Sequence, residues 1–370
     1  MPVYGTSIQH VKVSNPAKNV LEAAQERIQA IFDRFSFVLV CFSGGKDSTV
    51  LLQLALAEAQ RRGRVLEVAF CDEEAVDPLT EAYVTEVRSW KGLRFHWLCA
   101  PVKHTFQSHQ QSFWVCWDPA EETDWIRPRP VWGQTDGQGW QPGMTIMDAF
   151  RSLNVGQVPE TVCHLSGVRA GESFNRYRDM LTTGSYLKDR GAYWYATPLY
   201  DWKTSDIWAM IKREGWPYSR HYDQLRQLGR TNRHTQRIAP IGNVGSVGQA
   251  DIWGTLYPAF WDRVIRRLPP MESMARYGSS TLYRKGQKNA KPDGITWQTW
   301  AFTLLADIQE PEMQAYFRRQ IAQYLKRWER VSSVPFPEEA VSKVNDHCWK
   351  NVAALIAKHD MINGSSRDQR

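Results

Sequence analysis

Apolar positions change period several times along the first two hundred residues. After Asn15-Pro16, Val20, Leu21, Ala24, Ile28, Ile31 and Phe32 fall on one stripe, which predicts a helix to about Phe35. Phe37–Phe42 (FVLVCF) is an unbroken apolar run of strand length, the pattern of a parallel strand covered on both faces. Thr49–Gln60 returns to helical spacing, with Leu51, Leu52, Leu54, Ala55 and Leu56. Val65–Cys71 is a second strand, Pro78 opens a helix to about Trp90, Leu93–Cys99 is a third strand and Thr161–Gly167 a fourth. Strands alternating with helices predict an α/β fold with a doubly wound parallel sheet. A helix at about Glu172–Leu181, an extended WYATPLY and a helix at Ser205–Glu214 follow.

Two stretches break this rhythm. Residues 103–160 are long, Trp-rich and contain several Pro and Gly, so they read as a functional insertion. Beyond about residue 215 the strand signal fades, and 250–268, 297–308, 311–330 and 336–360 look helical. The expected division is 1–230 for the sheet domain and 231–370 for a mostly helical C-terminal extension.

Composition narrows the class. The 370 residues are 42% hydrophobic and 23% charged, a globular balance. No run approaches the ~20 apolar residues of a membrane helix. The N-terminus has no charged segment followed by an apolar run, so a cytoplasmic, non-membrane protein is expected. The net charge of +7 suits anionic partners or a solvated basic surface. The six cysteines hold no C-x-x-C, so neither zinc nor an iron–sulfur cluster is expected. Cys41, Cys71, Cys99 and Cys163 sit in apolar runs as buried thiols.

The chemistry concentrates after the first strand, at Ser43-Gly44-Gly45-Lys46-Asp47-Ser48. Two glycines let backbone N–H groups turn inward, and the next helix presents its positive end. Lys46 adds a charge, and Ser43 and Ser48 add hydroxyls, making a cradle for polyphosphate. A Walker A loop would need Gly where Val40 stands and Ser or Thr where Asp47 stands, so this is a different loop. An acidic residue in such a loop makes sense beside Mg²⁺; Asp47 is the candidate metal ligand or, alternatively, a helix cap. Asp72 closes the second strand, where a carboxylate can hold the ribose or the adenine amino group. Glu73 and Glu74 read as solvated.

The fourth strand runs into Gly167-Val168-Arg169-Ala170-Gly171-Glu172, followed at Arg176 by a second arginine. Spacings of three and four put Glu172 between Arg169 and Arg176, two arginines suited to phosphate or sulfate oxygens. Thr197-Pro198-Leu199-Tyr200-Asp201-Trp202 with Asp206-Ile207-Trp208, then Pro217 and Tyr222-Asp223, complete an ordered set.

This set resembles the PP-loop ATP pyrophosphatase superfamily, and within it the phosphoadenosine phosphosulfate (PAPS) reductase-like family, in a subgroup with a long C-terminal extension. The resemblance covers about residues 37–225 apart from the insertion. It implies an adenine nucleotide α-hydrolase-like, Rossmann-related fold, ATP and Mg²⁺ as ligands, and cleavage between the α- and β-phosphates to activate an acceptor. It implies catalytic roles for Lys46, Asp47, Arg169 and Arg176, and nucleotide contacts from Ser43, Gly44, Gly45, Ser48, Asp72, Gly167 and Glu172. Members of the subgroup are often encoded beside a ParB-like partner, so a nucleotide-sensing regulator acting on DNA is the competing expectation. The family's reductases use a cysteine in E-C-G-x-H; here Asp346-His347-Cys348-Trp349 lacks the glycine, so thiol-dependent reduction is not expected.

Trp114, Trp117, Trp125, Trp132 and Trp140 crowd the insertion without helical spacing. They read either as a platform for stacking bases or as a loop-borne core or interface. Arg220, Arg226, Arg230, Arg233, His234 and Arg237, and the run Lys285, Lys288, Lys291, suit nucleic acid, a phosphate clamp or a solvated face alike. His104 and His109 have no evident metal partners.

Overall fold

The computed structural model describes residues 19–105, 113–172, 176, 180, 185–230, 238, 247–272, 291–332, 349–350, 352–353 and 356. Its first helix, α1 (Val20–Arg34), starts at a capping box. The Asn19 side chain accepts from the N–H groups of Leu21 and Glu22, and Glu22 accepts in return from Asn19 N–H. Then come β1 (Phe37–Phe42), α2 (Lys46–Arg61), β2 (Leu66–Cys71), α3 (Pro78–Arg88) and β3 (Leu93–Leu98). Every residue of β2 is buried, as continuous apolar runs require when helices cover both faces.

The insertion opens with an antiparallel pair, β4 (Lys103–Thr105) and β5 (Phe113–Val115), and ends in a short helix, α4 (Ile146–Arg151). The chain then re-enters the sheet as β6 (Val162–Ser166) and closes it with β7 (Leu187–Asp189) and β8 (Trp194–Ala196). The order is β3-β2-β1-β6-β8-β7, parallel throughout except for β7 against β8. The extended WYATPLY thus supplies β8. Of the helix expected at about Glu172–Leu181, Arg176 and Met180 are helical, Glu172 lies in a short 3-10 turn, and most of the rest falls outside the described residues.

Strand order reverses between β1 and β6, and at their carboxyl ends a doubly wound sheet opens a crevice. Leu39, Val40 and Phe42 of β1, Val50–Leu52 of α2 and Leu165 of β6 form the core directly beneath it.

Two helices follow the sheet, α5 (Thr204–Glu214) and α6 (His221–Gln227); α5 packs on α2. Beyond them, α7 (Val247–Leu256) and α8 (Pro258–Arg267) are separated at Tyr257-Pro258, where proline cannot continue the preceding helix. Ile252 of α7 packs with Tyr222 and Leu225 of α6. The chain forms two compact units that divide at Pro269 and Pro270, so α7 and α8 belong with the sheet although they lie beyond 230. The second unit contains α9 (Trp297–Asp307) and α10 (Pro311–Ser332). Its core joins Leu304, Leu305, Tyr316 and Phe317 to Trp349, Val352 and Ile356. No helix among the described residues is long and apolar enough to cross a membrane.

Candidate functional site

The loop Ser43–Ser48 leaves β1 at the reversal point and enters α2. Gly44 turns through φ +72°, and a Cβ there would meet Thr80 at 2.8 Å, so both backbone angle and space require glycine. Gly45 caps α2 without a side chain. The two serine hydroxyls lie 3.0 Å apart, and Ser48 Oγ donates to Gly45 O at 2.9 Å. Gly167 makes the loop's other close approach. A Cβ on it would lie 2.9 Å from both Asp47 C and Ser48 N, so the end of β6 presses on the loop backbone itself. This close approach requires glycine there whatever else the residue contacts.

Three charges meet over the loop. Asp47 accepts from Lys46 Nζ at 3.0 Å on one oxygen and from Arg169 Nε at 2.6 Å on the other. Asp47 therefore does not cap α2; its carboxylate is held between two cations. Lys46 is 3% exposed and Arg169 4%, so these charges sit in a medium that screens them weakly. Glu172 accepts from Arg169 N–H and also pairs with Arg176, whose side chain is largely exposed. The structure thus brings together Ser43, Gly44, Gly45, Lys46, Asp47, Ser48, Gly167, Arg169, Glu172 and Arg176.

Residues of the later signatures hold this group from outside. Tyr222 OH accepts the backbone N–H of Lys46 at 3.1 Å, and its ring lies 5.3 Å from the ammonium. Arg169 donates to the carbonyl of Trp202 and to Thr204 Oγ1, both at 3.2 Å. Asp201 pairs with the buried Arg27 of α1 at 2.7 Å, and Trp202 Nε1 donates to Val20 O. Tyr222 and Trp202 stood inside the motifs, and that membership was the signal of their role; Thr204 lies in the gap between Trp202 and Asp206 and carried no such signal.

Asp72 does not join them. It is fully buried, and both its oxygens accept from Arg127, at 2.7 and 2.6 Å, while Trp97 Nε1 donates to it at 2.7 Å. No acceptor capacity is turned to a ribose or an adenine amino group, which corrects that expectation. Glu74 is buried as well, contrary to the solvated reading. It accepts from the N–H groups of Trp117 at 2.9 Å and Ile126 at 2.8 Å, and so ties the insertion to the end of β2. Burial raises its carboxyl above the ordinary range.

The insertion's tryptophans divide accordingly. Trp114 and Trp117 are buried; Trp117 donates from its indole to Asp72 O and meets Trp125 edge-on. This is a loop-borne core built around a buried Arg127–Asp72 pair, and Trp114 and Trp117 offer no face to a base. Trp132, 38% exposed, packs edge-on against Trp97 under Arg88. Of the basic residues, Arg220 pairs with Asp223 at 3.0 Å, and Arg226 lies over Trp208. Arg233, His234, Arg237, Lys285, Lys288, His109 and Cys348 lie outside the described residues.

A cavity of about 220 Å³ adjoins the loop through Ser43. Phe42, Phe70, Met147, Phe150 and Trp253 give it apolar walls, so α4 of the insertion and α7 both shape it. Cys41 and Cys71 also line it; burial raises the Cys41 thiol to about 12 and Cys71 well above the ordinary range, so neither is a ready nucleophile.

Among the described residues no three His, Cys, Asp or Glu side chains cluster as a metal cage. A single carboxylate completed by phosphates and water is the usual way of holding Mg²⁺, and Asp47 fits that pattern alone.

Residues 38–247 match the phosphoadenosine phosphosulfate reductase domain, more than half of the chain. The chain belongs to this family. The match spans the loop, the Arg169 segment and the Tyr222 segment together. The chain is also 28% identical over 364 residues to the uncharacterized protein YbdN of Escherichia coli (strain K12), covering 92% of this chain and 88% of that one. Among solved structures, the FMN adenylyltransferase of Candida glabrata aligns at 16% identity and TM-score 0.36, over 57% of this chain and 62% of that one. The PAPS reductase of Candida auris aligns at 11% identity and TM-score 0.32, over 60% of this chain and 95% of that one. Membership makes the chain one of a nucleotide-using PP-loop family.

Proposed function

We propose that this protein binds ATP in the crevice between β1 and β6 and cleaves it between the α- and β-phosphates to activate an acceptor. The observation that carries this reading is the convergence of Lys46 and Arg169 on Asp47 over a glycine loop at the reversal point. An oxygen of the acceptor forms a bond to the α-phosphorus. The bond to the bridging oxygen breaks, and pyrophosphate leaves with the electron pair. Lys46, Arg169 and Arg176 neutralise charge on the leaving pyrophosphate, and the loop's backbone N–H groups orient it. Glu172 and the Trp202 carbonyl fix the arginine in place. Asp47 would hold Mg²⁺ together with the phosphates; the ion supplies charge neutralisation there.

The reading is independent of thiol chemistry. Cys41, Cys71, Cys99, Cys116 and Cys163 are free, and burial raises each thiol above its ordinary value. Incubation with α-labelled ATP and Mg²⁺ tests the proposal. AMP or an adenylated acceptor, with pyrophosphate, is expected; ADP with phosphate would place the scissile bond elsewhere.

A further inference from the structure

We propose that Trp253 of α7 is a wall on which the base of the bound nucleotide packs, and so a residue that sets nucleotide affinity. The inference rests on the reading that ATP occupies the crevice, and deepens it by placing the nucleoside. Ser43 belongs both to the loop and to the lining of the adjoining cavity, so a ligand whose phosphates lie on the loop continues into that cavity. At about 220 Å³ the cavity is smaller than the roughly 300–1,000 Å³ of sites that enclose a whole drug-sized ligand. It takes one ring system and leaves the phosphates outside. Phe42, Phe70, Phe150 and Trp253 line it with aromatic rings, and Met147 adds an adaptable thioether, a lining that suits a flat, weakly polar group.

Trp253 differs from the other rings in where it comes from. Phe42 and Phe70 belong to β1 and β2 and are needed in the core of the sheet whether or not a ligand is present. Trp253 stands beyond residues 38–247, the part matched to the family. Two ties bring its helix into register with the loop. Ile252, its neighbour in sequence, packs with Tyr222 and Leu225, and Tyr222 OH accepts the Lys46 N–H at 3.1 Å. Tyr257, just after α7, bonds His221 Nδ1 through its hydroxyl at 3.1 Å. The indole is held by α8 as well. Phe260 meets it at 5.4 Å between ring centroids, and a Cβ on Gly254 would lie 3.3 Å from the Trp261 ring, so the two helices pack closely. Loop, Tyr222 and Ile252 thus form one chain of contacts that ends beside Trp253. Every base has a π-face, so an aromatic wall governs how tightly a nucleotide is held more than which base it carries.

The test is calorimetry with ATP and with inorganic tripolyphosphate, which has a triphosphate chain and no base, on wild type, Trp253→Ala and Trp253→Phe. Trp253→Ala should lose about 5- to 100-fold in ATP affinity, the scale of one base stack, and keep its tripolyphosphate affinity within about twofold. Trp253→Phe keeps a flat ring in the core and should recover most of the loss. Labelling with 5-fluorotryptophan gives a readout that needs no truncation, should the alanine variant fail to fold. The fluorine resonance missing from Trp253→Phe should shift when ATP is added to the wild type, and not when tripolyphosphate is added. Equal losses for ATP and tripolyphosphate in Trp253→Ala would reduce Trp253 to a support of the loop. Unchanged ATP affinity, or a resonance that ignores ATP or answers both ligands equally, would take the base off this wall. Each of these overturns the proposal while leaving ATP on the loop. Absence of ATP binding by wild type would overturn the crevice reading and this proposal with it.

Discussion

Lys46 reaches the Asp47 carboxylate from the next position and Arg169 from 122 residues away in sequence, and Tyr222 steadies the backbone beneath them. Lys46→Ala should therefore weaken ATP binding by about 1.5–3 kcal/mol, the scale of a charge-assisted hydrogen bond, as calorimetry would measure. Unchanged affinity would remove the loop from the phosphate site. Glu73 carries a second prediction, this time on stability. Folded, it holds its proton to about pH 8; unfolded, it loses it near 4.5, so its contribution to stability falls as pH rises between those values. His104 acts in the opposite sense, since it is neutral above about 4 when folded but charged below 6.5 when unfolded. The two oppose each other in acid, which leaves Glu73 alone between pH 6.5 and about 8. Thermal melting of wild type should decline across that interval relative to Glu73→Gln. The loop, Arg169 and Glu172 were legible because their spacing is local. Asp72 was not, because its partner Arg127 stands 55 residues later in the insertion and no local pattern couples them.

At the scale of elements, the insertion is an organised structure fastened to the end of β2. Glu74 and Trp117 both adopt positive φ, 61° and 52°, and each is held there by hydrogen bonds to the other's segment. Arg127 is the central tie, reaching Asp72, Glu81 and the Glu74 carbonyl. Arg127→Ala should cost about 3–5 kcal/mol, because it leaves the fully buried Asp72 carboxylate uncompensated. Chemical denaturation would show this as a lowered midpoint. A loss under about 1 kcal/mol would mean that water reaches Asp72. Since α4 walls the cavity, loosening the insertion should also weaken ATP binding without touching the loop. Strand and helix periods disclosed the sheet because each element is amphipathic or buried on its own. The insertion's aromatic residues carry no period, and only the fold shows that Trp114 and Trp117 face inward.

Across the molecule, four thiols are buried, at positions 71, 99, 116 and 163, and a fifth, Cys41, is half-buried with its thiol raised to about 12. In a Cys348→Ser variant the native protein should react only slowly with a thiol reagent, and all five should react once denaturant unfolds it. Rapid labelling of the native variant would mark an accessible thiol and reopen a role for cysteine. The net charge of +7 draws anions of every kind toward the surface, so attraction alone cannot select among them. Asp47 changes that. Seated between Lys46 and Arg169, it is a tethered rival for the same two cations, present at fixed position whatever the solution contains. An incoming anion must displace it, and a singly charged ion offers little more than the carboxylate already does. A ligand that brings several negative charges at once competes with this resident far better than a singly charged ion does, so the pairing sets a threshold of charge that chloride falls below and a polyphosphate passes.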